Sequence, residues 1–185
     1  MKLLMVHPGA DWSTHDVFAG LRAGLERLGH EIFVYDLSNR IAASAEWFNW
    51  LWTRAGCPPE RPTDADILYH AAQDVLGRAL RNQVDWVLVV SGMYFHPDAL
   101  ILLQRAGVKV AAVLTESPYD QDREANITPY LRVAWTNERT SVDYLRVRNP
   151  NVHYLPHAWH VDLHRPVGSS SDVDVPAHDV VFVGP

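Results

Sequence analysis

The sequence predicts an α/β fold of three layers, a parallel sheet between helices. Three observations predict it. Short, unbroken apolar runs recur along the chain, as expected of parallel strands buried on both faces. Helix-patterned segments separate those runs, so strand and helix alternate throughout. Glycine and proline mark several of the boundaries. At 185 residues, 48% hydrophobic and 21% charged, the chain can bury a sizeable core without disulfides.

The first run is "KLLMV", Lys2 to Val6. "HPGADWS" follows as a loop, and Ser13 with Asp16 resembles a capping box opening a helix near Thr14. Val17, Leu21, Leu25 and Leu28 form one apolar stripe, and Gly29 supplies the stop. "EIFVYDL" is the second strand, which completes the opening of a right-handed parallel unit. A helix is expected from Ser38 to about Ala55. Asp64 is expected to cap another, with Ile67, Leu68, Ala71, Val75, Ala79 and Leu80 on its buried face. "DWVLVVSG" is a buried strand with a glycine turn. "HPDALILLQRAG" is a short helix with Pro97 in its first turn and Gly107 at its end. "VKVAAVLTE" is the next strand, and "SPYDQDREANITPYL" a long loop with room for one helical turn. "RVAWTN", "ERTSVDYLRVR" and "NVHYLPHA" read as strand, helix and strand. The expected architecture is Rossmann-like, with helices on both faces of a sheet of about six strands. Gly168 to His178 is Ser-rich and acidic and reads as a linker. Beyond it, "DVVFVG" is a strand and turn standing alone. The expected organisation is a Rossmann-like domain over 1–166, a linker over 167–178, and over 179–185 the first strand of a second domain.

Charge and composition exclude some functions. With 16 basic against 22 acidic residues, the chain lacks the cationic surface that nucleic acid requires. Cys57 is the single cysteine, so an internal disulfide is impossible and a reducing compartment fits. The apolar run at the N-terminus is too short for a signal peptide, and no run reaches the ~18 residues of a membrane span. A soluble, cytoplasmic protein is the expectation.

Ligands of open parallel sheets bind beyond the carboxyl ends of the strands. That rule selects the loops that carry the candidate site residues. In "HPGADWST", Gly9, Ala10 and Ser13 precede a helix and can offer backbone N–H groups to an anion or a sugar hydroxyl. Gly9 equally serves a plain turn, and neither a dinucleotide fingerprint nor a P-loop is present. "SGMYFHP" contributes Ser91, Gly92 and Tyr94, whereas His96 fits better as the cap of the helix opened by Pro97. "LTESPYDQD" places Glu116 directly at a strand end, where a carboxylate can act as general base towards a hydroxyl. Capping or an arginine ion pair is the alternative role for Glu116. Ser117 and Tyr119 lie beside it, and Asn137 ends a neighbouring strand. His153, His157, His160 and His164 have helix-like spacing, but Pro156 interrupts a helix there and no zinc motif is present. His157 is the one expected to reach the cleft. No metal or cofactor is expected. "AEWFNWLWTRAG" packs Trp47, Phe48, Trp50 and Trp52 into one helix, whose rings point several ways. Core packing under a neighbouring helix would cover at least two of them; an acceptor molecule, a second domain, a second chain in a homodimer or a membrane surface would cover the others.

The order of these features resembles the N-terminal half of a GT-B glycosyltransferase, nearest the spore-coat-protein-like branch. The resemblance rests on the first strand and Gly loop, the T-E-S-P loop, "TNERTSVDYLR", "YLPHAWHVDLHRP" and "DVVFVG". In such enzymes a phrase matching Leu155, Pro156, Ala158, Asp162 and Pro166 closes the acceptor domain. A strand like Asp179, Val180, Phe182, Val183 and Gly184 opens the donor domain. Where many relatives carry His-Asp after a strand, this chain carries Glu116-Ser117. The resemblance implies an acceptor-binding domain of an enzyme that moves a sugar from a nucleotide-sugar donor to an acceptor glycan or small molecule. It also implies that the donor is held by a second domain, and that this chain alone is inactive. Without that resemblance, a non-catalytic partner-binding module using the Trp-rich helix fits the sequence.

Overall fold

The fold is that of a computed structural model, which describes residues 1–9 and 14–158. Six parallel strands form one sheet in the order β2-β1-β3-β4-β5-β6. They are β1 (Lys2–Val6), β2 (Glu31–Tyr35), β3 (Trp86–Val90), β4 (Lys109–Leu114), β5 (Val133–Thr136) and β6 (Val152–Tyr154). The helices are α1 (His15–Arg27), α2 (Leu37–Arg54), α3 (Asp64–Ala72), α4 (Asp74–Asn82), α5 (Pro97–Arg105), α6 (Gln121–Ile127) and α7 (Ser141–Arg146). A 3-10 turn, Thr128–Tyr130, follows α6. The expected α/β class and the six strands are what the structure shows. The chain order reverses between β1 and β3, and in this class ligands bind at the crevice such a reversal opens.

Alternation along each strand sends side chains to two cores. Leu4, Val6, Val87, Val89, Ala112 and Leu114 face the larger core with residues of α3, α4 and α5. Met5, Leu88, Val90, Ala111 and Val113 face the smaller one, where Phe18 of α1 is the buried helical partner. Among the described residues no helix is long and apolar enough to cross a membrane.

Helix α1 starts near Thr14 as expected, and Asp16 accepts from the N–H of Val17; Ser13, the other half of the expected capping box, lies outside the described residues. Local details depart from the sequence expectations in three places. The cap of α3 is Thr63, in a reciprocal capping box with Asp66, while Asp64 is already helical. The long stripe from Ile67 to Leu80 is split between α3 and α4 at Gln73, which leaves Leu80 57% exposed. The expected loop after β4 contains α6, whose residues Glu124, Ala125 and Ile127 are buried. His96 does cap α5, its ring nitrogen Nδ1 accepting from the N–H of Asp98 at 3.2 Å. The expected linker 167–178, the strand 179–185 and the end of the first domain lie outside the described residues.

Candidate functional site

The ends of β4, β5 and β6 face α1 across a cleft of about 900 Å³. Glu116, Asn137 and His157 line its upper end together with Thr14 and Thr115. Glu116 is placed by the strand before it and by two hydroxyls. Ser91 Oγ donates to its Oε1 at 2.7 Å and Thr115 Oγ1 donates to the same oxygen at 3.0 Å. Ser91 itself accepts from the N–H of Met93, which leaves its own proton for Glu116. Its backbone sits in the left-handed region, φ 65°, just past the end of β3. Among the described residues Oε2 of Glu116 takes no hydrogen bond. The carboxylate is therefore held in orientation with one oxygen in reserve.

Glu124 of α6 holds the loop from below. It is 1% exposed. One of its oxygens accepts from the backbone N–H of Glu116 at 2.8 Å and of Ser117 at 3.2 Å; the other accepts from Ser117 Oγ. Burial pushes its carboxyl above the usual range, the three hydrogen bonds oppose that shift, and the nearby Glu116 adds to it. Glu124 falls in a segment whose sequence reads as a loop, and nothing in that pattern singles it out.

Asn137 follows β5. Its Nδ2 donates to His157 Nε2 at 2.8 Å, which fixes the direction of the amide. Among the described residues its Oδ1 is buried without a partner, and so is Thr14 Oγ1 on the facing wall. Two orphaned polar atoms on one cleft are an unmet demand for hydrogen bonds. Nearby, the N–H of Gly9 donates to His7 Nδ1 at 3.3 Å. That places the proton of a neutral His7 on Nε2, which meets His15 Nδ1 at 3.4 Å. Neither histidine was singled out from sequence, although His7 ends the first strand in the way the loop rule favours.

The remaining candidates take other positions. Gly9, φ 93°, packs against Tyr94, where a Cβ would come within 3.0 Å of the Tyr94 Cβ. Gly92, φ 80°, turns where a Cβ would collide with Ile127 Cδ1. Both glycines have a packing reason to be glycine, and Tyr94 is half-buried beside the larger core. Ser117 points inward to Glu124, and Tyr119 is 97% exposed. Ala10, Ser13, His160 and His164 lie outside the described residues. His153 is exposed on β6. Among the described residues no three metal-binding side chains come together.

On α2, Trp47 stacks on His70 with ring centroids 5.0 Å apart, and Phe48 meets the same ring edge-on. Trp52 donates to the carbonyl of Pro58 and carries Arg61 over its face. Trp50 is 53% exposed beneath Arg54.

No protein-family model matches the chain, and no curated protein matches it. Solved structures do match. One, from Listeria monocytogenes, is assigned provisionally as a UDP-N-acetylglucosamine 2-epimerase. It is 11% identical with a TM-score of 0.55, and the match covers 82% of this chain and 44% of that one. A second, S. aureus MnaA in a co-structure with UDP, is 12% identical with a TM-score of 0.52, covering 82% and 43%. At these identities the likeness concerns the fold, which is GT-B-like in both structures. The chain spans less than half the length of either.

Proposed function

We propose that the chain is the acceptor-side half of a two-domain, nucleotide-sugar-dependent glycosyltransferase, with Glu116 as the base. The carrying observation is the Glu116 carboxylate, fixed by Ser91 and Thr115 at a cleft that also holds Asn137 Oδ1, unpartnered among the described residues. Fold neighbours that act on or bind uridine nucleotides support the nucleotide-sugar class, and their length supports a second domain. The phrase from Leu155 to Pro166 supports glycosyl transfer and the spore-coat-like branch.

In this reading an acceptor hydroxyl donates to Glu116 Oε2 while Asn137 Oδ1 receives a neighbouring hydroxyl. The proton passes to the carboxylate as the acceptor oxygen bonds to the anomeric carbon. The bond from that carbon to the nucleoside diphosphate breaks, and the second domain holds the leaving group. Closing two domains over the cleft excludes water, so the half represented by this chain binds acceptor weakly and turns nothing over.

Saturation-transfer NMR with methyl glycosides tests the reading. Millimolar binding is expected, and Asn137→Ala weakens it about tenfold through loss of one polar contact. Turnover of a nucleotide-sugar by the isolated chain contradicts the reading.

A second reading, a homodimer or partner contact through α2, is favoured by the exposure of Trp47 and Trp50, 46% and 53%. Light scattering tests it: a dimer lost in Trp50→Ser supports it, and a monomer at all concentrations removes the homodimer.

A further inference from the structure

The apolar stripe of α1 lies along the cleft and is only partly used by the core. Phe18 is 5% exposed, whereas Val17, Leu21 and Leu25 stay half-buried and Leu28 is 75% exposed. Gly20 and Gly24 stand on the same wall. Among the described residues a Cβ at Gly24 would meet nothing within 4 Å, so the wall they form is open there. From Asp16 to Arg27 it runs about 16 Å at helical rise.

The chemistry of the wall changes along its length. Among the described residues, Thr14 Oγ1 and Asn137 Oδ1 stand unpartnered at the upper end, with Glu116 and Asp16 as the carboxylates there. The guanidinium of Arg27 stands at the opposite end of α1. Between them the lining is Val17, Leu21, Leu25 and Val113. A volume of about 900 Å³ is near the top of the range for small-molecule pockets, so a single hexose leaves most of the wall wet.

We infer that the cleft takes an elongated amphiphile, with an uncharged hydroxyl-bearing head at Glu116 and Asn137 and an apolar tail along α1. The inference rests on the Glu116 cleft being the hydroxyl-binding site. Two carboxylates at the upper end disfavour an anionic head. The half-exposed stripe gives a tail something to cover, and each methylene removed from water lowers Kd roughly fourfold.

Calorimetry on the full chain tests this with three probes: methyl glucoside, octyl glucoside below its micellar concentration, and octanoate. Octyl glucoside is expected to bind at least about tenfold tighter than methyl glucoside and tighter than octanoate. Gly24→Leu, which fills the open wall, is expected to erase the advantage of the octyl chain; Gly24→Ala serves as the milder variant if Gly24→Leu does not fold, and is expected to reduce that advantage. Equal affinity for the two glucosides overturns the tail site and leaves the head reading standing. Octanoate binding as well as octyl glucoside overturns head selection, and so this inference. If neither glucoside binds, the Glu116 reading falls together with it. An octyl advantage unchanged in both Gly24 variants overturns the α1 wall as the tail site.

Discussion

Glu124 accepts the two amides that aim the Glu116 loop, and its removal strands both of them in a buried place. Glu124→Ala is expected to cost about 3 kcal/mol of stability, the desolvation penalty of unsatisfied N–H groups. Glu124→Gln keeps one acceptor and costs less. The pH dependence separates the two effects. Folding raises the Glu124 pKa, so the folded chain binds that proton more tightly than the unfolded one. The stabilisation is fully present below the ordinary value of 4.5 and is lost as pH rises through the raised folded value. The stability of wild type relative to Glu124→Gln, from urea midpoints across that window, should therefore fall with rising pH. A flat difference would show that Glu124 ionises as freely in the folded chain as in the unfolded one. Gly92 makes a second case. Gly92→Ala combines positive φ with a collision at Ile127 and is expected to cost about 2 kcal/mol, read as a lower urea midpoint. Glu116 was legible from sequence because a carboxylate after an apolar run falls where strands end. Glu124 was not, because a polar residue held inward by backbone N–H groups leaves no apolar signature.

At the scale of elements, caps and periodicity explain both what was visible and what was hidden. Asp36 closes α2 by accepting from the N–H of Asn39 at 3.0 Å and from its side chain at 2.6 Å. Asp36→Ala is expected to lower stability by about 1 kcal/mol, measurable in thermal melts. The strands β1, β3 and β4 are legible from unbroken apolar runs, because burial on both faces leaves no polar alternation to confuse them, whereas β2, β5 and β6 keep exposed or polar residues such as His153 and are legible from their place between helices. The helix α6 is legible only as one turn within a loop, because its sequence, "QDREANI", is mostly polar and has two nearby prolines, whereas the structure extends it over seven residues. The stripe on α1 was legible as a stripe but not in its use: sequence periodicity shows which residues share a face, and only packing shows whether a core or a cleft covers it. The continuous face from Ile67 to Leu80 was likewise real in pattern and interrupted in space, since Gln73 separates two helices that each bury their own alanines.

At the scale of the whole molecule, the sheet is dressed unequally. Helices α3, α4 and α5 pack on one face, while α1 is the described helix that packs on the other, beside the cleft. That asymmetry, the reversal of chain order between β1 and β3, and the loops that follow β4, β5 and β6 together bring the candidate residues to one edge of the sheet. Residues far apart in sequence, Thr14, Glu116, Asn137 and His157, meet only because parallel strands place all their carboxyl ends together. The account therefore stands on the location of binding. Backbone amide shifts recorded while methyl glucoside is added measure that location directly. The expected result is a set of shifts confined to the loops of Glu116, Asn137 and His157 and to the start of α1. Shifts centred on Trp47 and Trp50 of α2, or on Lys109 and Arg132 at the opposite edge, would contradict it.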